Sequence, residues 1–191
     1  MAQTVLHIDS SARLTGSVSR DLTAQVVERL GAKEIIRRDL ATPLPLLDEA
    51  WIGANFTPAD QRSDAQKELL ALSDALIAEL QAADTIVIGA PVYNFSVPST
   101  LKAWIDLVAR AGVTFRYSEA GGRPAERQAR HRRDDLRRHP GSDYDYASRY
   151  LTQILGFIGI TDVELVAADQ QAVDAEGSIT KAKSAIAALA A

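Results

Sequence analysis

Cysteine is absent from this chain of 191 residues, which excludes disulfides, thiolate nucleophiles and Cys-ligated metal sites. No apolar run approaches the roughly 18 residues that a membrane-spanning helix requires. The sequence also lacks a cationic stretch followed by an apolar one at its start, so we expect no secretory signal, a cytoplasmic location and no membrane partner. A chain of this length buries about 70% of its unfolded surface, so it needs no metal or disulfide to fold.

Basic residues are unevenly distributed along the chain. The net charge is −4, which argues against a general nucleic-acid-binding protein. Seven of the 16 arginines and two of the three histidines nevertheless fall between Gly122 and His139. A charge run of this kind is usually a solvated basic loop, and a nucleic-acid-binding patch is the alternative.

Short apolar runs alternate with helical patterns along the sequence. Runs rich in β-branched residues predict strands at 4–9, 34–39, 84–89 and 163–167. Apolar spacing predicts helices over 17–30, 64–82, 98–110, 144–157 and 178–190, with a Pro-rich connection over 41–55. The alternation predicts one α/β domain over 1–191, with a parallel sheet covered by helices on both faces.

The first predicted strand ends in a hydroxyl-rich loop, Asp9-Ser-Ser-Ala-Arg-Leu-Thr-Gly-Ser-Val-Ser19, that runs into a helix. Parallel sheets bind ligands at the carboxyl ends of their strands. A helix N-terminus offers unpaired N–H groups and a partial positive charge, which favour a phosphate. Simple capping of the helix by Ser17 or Ser19 is the alternative. Because neither GxxxxGK[ST] nor GxGxxG occurs, the pattern favours a monophosphate such as that of FMN.

A second loop, Gly89-Ala-Pro-Val-Tyr-Asn-Phe95, follows the apolar run at 84–89. A tight turn here would lay backbone amides and an aromatic edge beside a flat ring. Asn94 can both donate and accept hydrogen bonds at such a ring. The alternative is that Tyr93 and Phe95 only pack against the top of the sheet.

Five segments together resemble the FMN-dependent NADH-azoreductases: Ser10-Ser11, Ser17-Val-Ser19, Ala90-Pro-Val-Tyr-Asn-Phe95, residues 107–117 (LVARAGVTFRY) and residues 155–160 (LGFIGI). The resemblance covers nearly the whole chain apart from the arginine-rich window. It implies a flavodoxin-like, doubly wound, five-stranded parallel sheet and a homodimer. It also implies two-electron reduction of quinones and azo compounds by NADH, through bound FMN, in ping-pong hydride transfer. The cofactor then carries the chemistry, so no catalytic side chain and no metal are expected.

The resemblance also implies which residues form the site. The FMN phosphate would be held by Ser11, Ser17, Val18 and Ser19, and the isoalloxazine ring would lie along Val92, Tyr93, Asn94 and Phe95. The acceptor pocket would have Phe95, Tyr117 and Phe157 as walls, contributed by both subunits. The third flavin contact of the family, a Ser-x-Gly-Gly loop after the fourth strand, is absent from this sequence.

Other interpretations stay open from the sequence. His7 alternates with apolar neighbours and is interpreted as a core residue rather than a catalyst. Trp104 and Leu107 are compatible with a dimer face or with ordinary core packing. For the chain as a whole, a flavodoxin-like electron carrier or a non-catalytic nucleotide-sensing module is the alternative function, and turnover of NADH would distinguish these from an enzyme.

The fourth strand of the expected sheet should fall between Tyr117 and Tyr144, where the sequence supplies the arginine-rich window. Burial of unpaired guanidinium groups in a central strand costs several kcal/mol per ion. Read one nucleotide later, one set of synonymous codons for 122–140 encodes a turn, the strand Ala-Ile-Val-Val-Met and the missing Ser-Gly-Gly. We therefore hypothesise a pair of compensating frame changes, in the gene or in its recorded sequence.

Overall fold

The computed structural model of the chain describes residues 3–118, 121–124, 131–135 and 145–189. The strands are β1 (Thr4–Asp9), β2 (Glu34–Asp39), β3 (Thr85–Gly89), β4 (Phe115–Ser118), β5 (Gly121–Pro124), β6 (His131–Asp135) and β7 (Val163–Val166). The helices are α1 (Val18–Leu30), α2 (Glu49–Phe56), α3 (Asp64–Ala82), α4 (Ser99–Val108), α5 (Tyr146–Phe157) and α6 (Ala175–Ala188), with a 3₁₀ turn at Ala59–Gln61. Within these ranges, no helix is both long and apolar enough to cross a bilayer.

The main sheet is parallel and has the strand order β2-β1-β3-β6-β7. Its strand order reverses beside β1, because the chain runs from β1 outward to β2 and then returns to add β3 on the other side. The neighbouring carboxyl ends of β1 and β3 therefore form the crevice where ligands of such sheets bind. β4 and β5 form a separate antiparallel hairpin, which the sequence did not predict. The predicted α/β fold with a parallel sheet is confirmed.

The backbone of the arginine-rich window contributes β6, which lies between β3 and β7. Arg132 is opposite Ile86 of β3, and Arg133 is opposite Val87. This is the place where the fold leads one to expect an apolar strand. Residues 125–130 and 136–140 of the window lie outside the described residues, and with them most of the segment to which the frame hypothesis applies.

The sheet is covered on both faces, because alternate residues of its central strands belong to different cores. Leu6 and Ile8 of β1 pack in a large apolar cluster that includes side chains of α3, α4 and α5. Val5 belongs to a second cluster with α1 and α6. Trp104 and Leu107 are buried in the larger cluster, so the structure shows core packing for both residues.

The Pro-rich connection predicted over 41–55 is wrong in its second half, because residues 49–56 form α2. The carboxylate of Asp48 caps this helix by accepting a hydrogen bond from Trp51 N at 2.7 Å. Trp51 is buried against the core. Pro43 and Pro45 precede the cap, so they are compatible with a helix that begins at Glu49.

Candidate functional site

Two loops meet at the carboxyl edge of the sheet, because Asp9 at the end of β1 pairs in register with Gly89 at the end of β3. We call residues 10–17 the serine loop and residues 90–98 the aromatic loop. Ser10 N and Ser10 Oγ both donate to Gly89 O, at 3.2 and 2.6 Å. Ala12 N donates to Tyr93 Oη at 3.2 Å. The structure thus brings together the two segments that the sequence singled out.

The hydroxyl groups predicted to bind a phosphate are buried at the start of α1. Ser11, Ser17 and Ser19 are all at least 98% buried, and the Ser17 and Ser19 hydroxyls lie 3.2 Å apart. Ser17 is the N-cap of α1 and accepts a hydrogen bond from Arg20 N at 3.5 Å. The capping alternative is therefore realised at Ser17. Capping uses the oxygen as an acceptor and leaves the hydroxyl hydrogen able to donate, so it is compatible with anion binding.

The backbone around these serines also favours an anion. Val18 is the first residue of α1, and the N–H groups of a first turn have no partner within the helix. Gly16, with φ 62°, adopts the left-handed conformation that turns the chain into the cap. Hydroxyl and amide donors at a helix N-terminus are the donor set that suits a phosphate.

A charge network lies beneath the serine loop. Arg20 donates from Nη1 and Nη2 to the carboxylate of Asp39, both at 2.7 Å. Its Nη1 also lies 3.5 Å from Asp9 Oδ2, and Arg37 Nη2 lies 3.1 Å from the same oxygen. The hydrogen bond from Arg20 holds the pKa of Asp39 below its usual range, and the same bond raises the pKa of Arg20.

Asp9 is the fully buried member of this network. Burial alone would raise the pKa of Asp9, but the neighbouring His7 ring, a hydrogen bond from Thr23 and the charge of Arg20 outweigh it and lower the pKa. His7 Nε2 lies 3.4 Å from Asp9 Oδ1, and the ring is buried in β1. Its buried place in the sheet agrees with the core interpretation of His7.

The aromatic loop contains a tight turn with an unusual backbone. Tyr93 and Ser96 exchange two backbone hydrogen bonds of 3.0 Å, and the residues between them, Asn94 and Phe95, have φ of 47° and 69°. Two consecutive positive φ angles in a two-residue turn are typical of type I′, where Asn or Gly is favoured. Phe95 in this conformation costs about 1 kcal/mol, and yet the residue is 46% exposed. Strain that presents an aromatic ring at a crevice points to a binding role.

A cavity of about 550 Å³ opens beside the aromatic loop and is lined by Tyr93, Asn94, Ser96, Val97, Ser99, Lys102 and Tyr150. Lys102 Nζ pairs with Asp106 Oδ2 at 2.6 Å. Burial, with a smaller effect of the Asp106 charge, raises the pKa of Tyr150 to about 12, so its phenol is a hydrogen-bond donor at neutral pH.

Sequence reasoning predicted Tyr93 and Asn94 of this cavity but missed Lys102 and Tyr150. A usable signal existed for Lys102, which lies one turn into the helix that directly follows the aromatic loop. Tyr150 had no such signal, because only the packing of α5 against the core brings it to the cavity.

Phe115 contacts both Tyr117 and Phe157, which are two of the three residues predicted to form the walls of the acceptor pocket. The Phe115 ring is edge-on to Tyr117, with centroids 5.3 Å apart, and lies 4.5 Å from Phe157. Tyr117 is 71% exposed, whereas Phe157 is partly buried against the core. Phe95, the third predicted wall, is at the tip of the aromatic loop, so the walls come from separate segments.

The residues present fit FMN at the phosphate end and along one ring edge. The serine loop supplies buried hydroxyls and helix amides, and the aromatic loop supplies a flat edge with polar backbone groups. Residues 136–140, where the resemblance implies a third flavin contact, lie outside the described residues. Among the side chains that the structure does describe, no three His, Asp or Glu groups converge as a metal site would require.

Comparisons with known proteins agree with this geometry. A family model described as a flavodoxin-like fold matches residues 3–190. The FMN-dependent NADH:quinone oxidoreductase 1 of Jannaschia sp. (strain CCS1) is 56% identical over 189 residues, with 98% of each chain covered. A protein of the same name from Hahella chejuensis is 50% identical over 190 residues, covering 96% of this chain and 93% of the relative.

A solved structure shows the same fold at lower identity. It is the FMN-dependent NADH-azoreductase from Bacillus anthracis str. Ames Ancestor, in complex with FMN. It matches with a TM-score of 0.82 at 23% identity and covers 96% of this chain and 95% of that one. The sequence matches cover almost all of both chains, and this chain therefore belongs to the flavodoxin-like family of FMN-dependent NADH:quinone oxidoreductases.

Proposed function

We propose that this protein is an FMN-dependent oxidoreductase that uses NADH to reduce quinones and aromatic azo compounds by two electrons. One observation carries the proposal: the serine loop and the aromatic loop lie side by side and are joined through Ala12 and Tyr93. The first loop suits a phosphate and the second a flat ring, and FMN has one of each. The names of the relatives, FMN-dependent NADH:quinone oxidoreductases, support the reduction of quinones by NADH.

The chain's own residues would bind and orient the cofactor. Ser11, Ser17 and Ser19 would donate hydroxyl hydrogens to the phosphate, together with the N–H of Val18 in the first turn of α1. The turn over 92–95 would lie along the isoalloxazine ring, with backbone groups and the Asn94 amide at its polar edge. Bound FMN would supply the hydride-transfer chemistry, so the chain needs no acid or base of its own.

The acceptor would stack on aromatic side chains where water is excluded. Phe95, Tyr117 and Phe157 would form the walls, and rings of this kind favour offset or edge-on stacking with a flat acceptor. In the cavity beside the aromatic loop, Lys102 and the protonated Tyr150 would offer hydrogen bonds to polar groups of the bound molecules.

The proposal includes the assembly and setting of the protein. We infer a single domain over 1–191, with β6 as the fourth of five parallel strands. We infer a homodimer in the cytoplasm, in which both subunits contribute walls to each acceptor pocket. NADH would react first and leave before the acceptor binds, as in a ping-pong sequence.

The test is a visible absorption spectrum of the purified protein followed by an NADH oxidation assay with a benzoquinone. We expect bound flavin and turnover of NADH that depends on the quinone. Ser17→Ala should lower the flavin content per subunit, because it removes a phosphate donor, while Ser184→Ala on the exposed face of α6 should not. Flavin that cycles by one electron without NADH turnover would instead favour the electron carrier, and a protein that binds no flavin would overturn the proposal.

A further inference from the structure

We propose that Arg20 is a positioning residue for the serine loop: its guanidinium holds the loop backbone from beneath, so that the opposite side of the loop faces the FMN phosphate. The proposal rests on the function proposed above and adds a residue to it. Arg20 lies in the first turn of α1, and its side chain is 11% exposed.

The guanidinium is hydrogen-bonded to two carbonyl groups of the serine loop. Arg20 Nη2 donates to Ser11 O and Arg20 Nε donates to Arg13 O, both at 2.9 Å. These bonds connect α1 to the middle of a loop whose residues 12–16 are all exposed. Among the described residues, no other side chain bonds to either carbonyl oxygen, so Arg20 restrains both peptides at their carbonyl ends, while Tyr93 holds the N–H of Ala12.

The orientation of the two peptides follows from these bonds. A trans peptide is planar, so a carbonyl that points toward Arg20 turns the following N–H in the opposite direction. This is what the structure shows at Ala12, whose N–H donates to Tyr93 Oη in the aromatic loop. The same geometry turns the N–H of Leu14 away from Arg20. The arginine thereby favours the orientation in which the N–H groups of Ala12 and Leu14 point away from it.

Four of the five N–H groups of Arg20 donate hydrogen bonds within the protein. A guanidinium has five N–H groups. Two donate to Asp39, two donate to the loop carbonyls, and Nη1 also lies 3.5 Å from Asp9 Oδ2. The residue therefore acts through the loop rather than on the anion.

The charges around Arg20 lead to the same conclusion. Arg20 and Arg37 face Asp9 and Asp39, so two positive charges are balanced by two negative ones. A balanced network adds little net attraction for an anion. What Arg20 contributes is geometry, namely a planar fork that bonds to a carboxylate on one side and to two carbonyls beside it.

The test compares two flavins on one variant. Arg20→Lys keeps the positive charge and loses the fork, and Arg29→Lys, on the exposed last turn of α1, is the matched control. The full chain, freed of flavin, is titrated with FMN and with riboflavin, which has the same ring without the phosphate. We expect Arg20→Lys to raise the dissociation constant of FMN about tenfold or more and that of riboflavin by less than about twofold. Arg29→Lys should change neither.

Three results would overturn the proposal. Wild-type FMN affinity in Arg20→Lys, with a loss only in Arg20→Gln, would show that charge rather than geometry is what matters. Equal losses for FMN and riboflavin would show a general structural role. If Arg20→Lys does not fold, Asp39→Asn is tested instead, because it keeps the arginine and removes the carboxylate that orients its guanidinium. An Asp39→Asn variant that shows no selective loss of FMN affinity would also overturn the proposal. A wild-type chain that binds neither flavin would instead overturn the proposed function.

Discussion

The phenolic oxygen of Tyr93 accepts the hydrogen bond of Ala12 N at 3.2 Å and so ties the aromatic loop to the serine loop. Tyr93→Phe removes this bond and keeps the ring. A neutral hydrogen bond contributes about 1 kcal/mol, so we expect the dissociation constant of FMN to rise about fivefold. Tyr146→Phe, at an exposed tyrosine on α5, is the control. Flavin titration that gives the same constant for both variants would contradict the coupling of the two loops.

Tyr117 and Phe157 should both affect acceptor binding but differ in their effect on stability. Tyr117 is largely exposed, so Tyr117→Ala should raise the KM for an aromatic quinone several-fold with little change in Tm. Phe157 packs on Phe115 and the core, so Phe157→Ala should raise the same KM and also lower the unfolding free energy by about 3 kcal/mol. Steady-state kinetics and thermal unfolding measure the two effects. Loss of flavin from Phe157→Ala with unchanged acceptor kinetics would show the pocket assignment to be wrong.

Arg110 connects three elements from a buried position. It is 1% exposed, pairs with Asp74, and bonds to Ser73 Oγ at 3.3 Å and Asn55 Oδ1 at 3.2 Å. Removal of the carboxylate leaves a buried guanidinium without its counter-charge, so Asp74→Asn should lower the unfolding free energy by about 2 kcal/mol. Asp64→Asn removes the exposed pair of the same helix with Lys67 and should cost less than about 0.5 kcal/mol. Equal losses of unfolding free energy for the two variants, measured in urea, would contradict a stabilising role for the pair of Arg110 with Asp74.

The ion pair of Arg20 with Asp39 predicts a pH dependence of stability. The pKa of Asp39 is lowered in the folded state, chiefly by the hydrogen bond from Arg20. The contribution of this ion pair to the unfolding free energy is therefore complete above the ordinary Asp pKa of 3.8 and is lost as the pH falls through the pKa of the folded state. Because the carboxylate is 38% exposed, screening limits the effect of Asp39→Asn at pH 7 to about 1 kcal/mol. The difference in unfolding free energy between the wild type and Asp39→Asn should stay constant from about pH 7 to 5 and disappear below about pH 4.

The exposed Asp60→Asn is the control for that series. Urea unfolding at each pH measures both variants against the wild type. A wild-type advantage that grows as the solution becomes more acidic has the wrong sign and would contradict the assignment.

The frame hypothesis for residues 122–140 predicts a measurable mass. If the recorded sequence contains the two frame changes, the intact mass of the purified protein will depart from that of the printed chain, and tryptic peptides of the window will be missing. Resequencing of the coding DNA is the companion measurement. A folded, yellow protein with the mass of the printed sequence would refute this form of the hypothesis. In that case the arginine-rich sequence of β6 is the true one, and the affinity for FMN should be low because the third flavin loop is lacking.

Local patterns were enough to place the two loops of the site. The apolar run of β3 and the β-branched run of β1 are typical of buried parallel strands, and the polar residues that follow them fall at one sheet edge for that reason alone. α2 was missed because Pro43 and Pro45 obscured the capping signal of Asp48. The role of Arg20 could not be read from the sequence, because its partner Asp39 comes from the end of the neighbouring strand and only the paired sheet brings the two together.

The left-handed turn at Asn94 and Phe95 has a consequence for any attempt to evolve this protein in the laboratory. A library selected for heat resistance alone should accumulate glycine at position 95, because glycine adopts φ of 69° without the steric penalty that a phenylalanine meets there. Such a population would gain robustness while it lost the ring at the crevice. Screens that do not also measure turnover would therefore select stable proteins that bind their substrates more weakly.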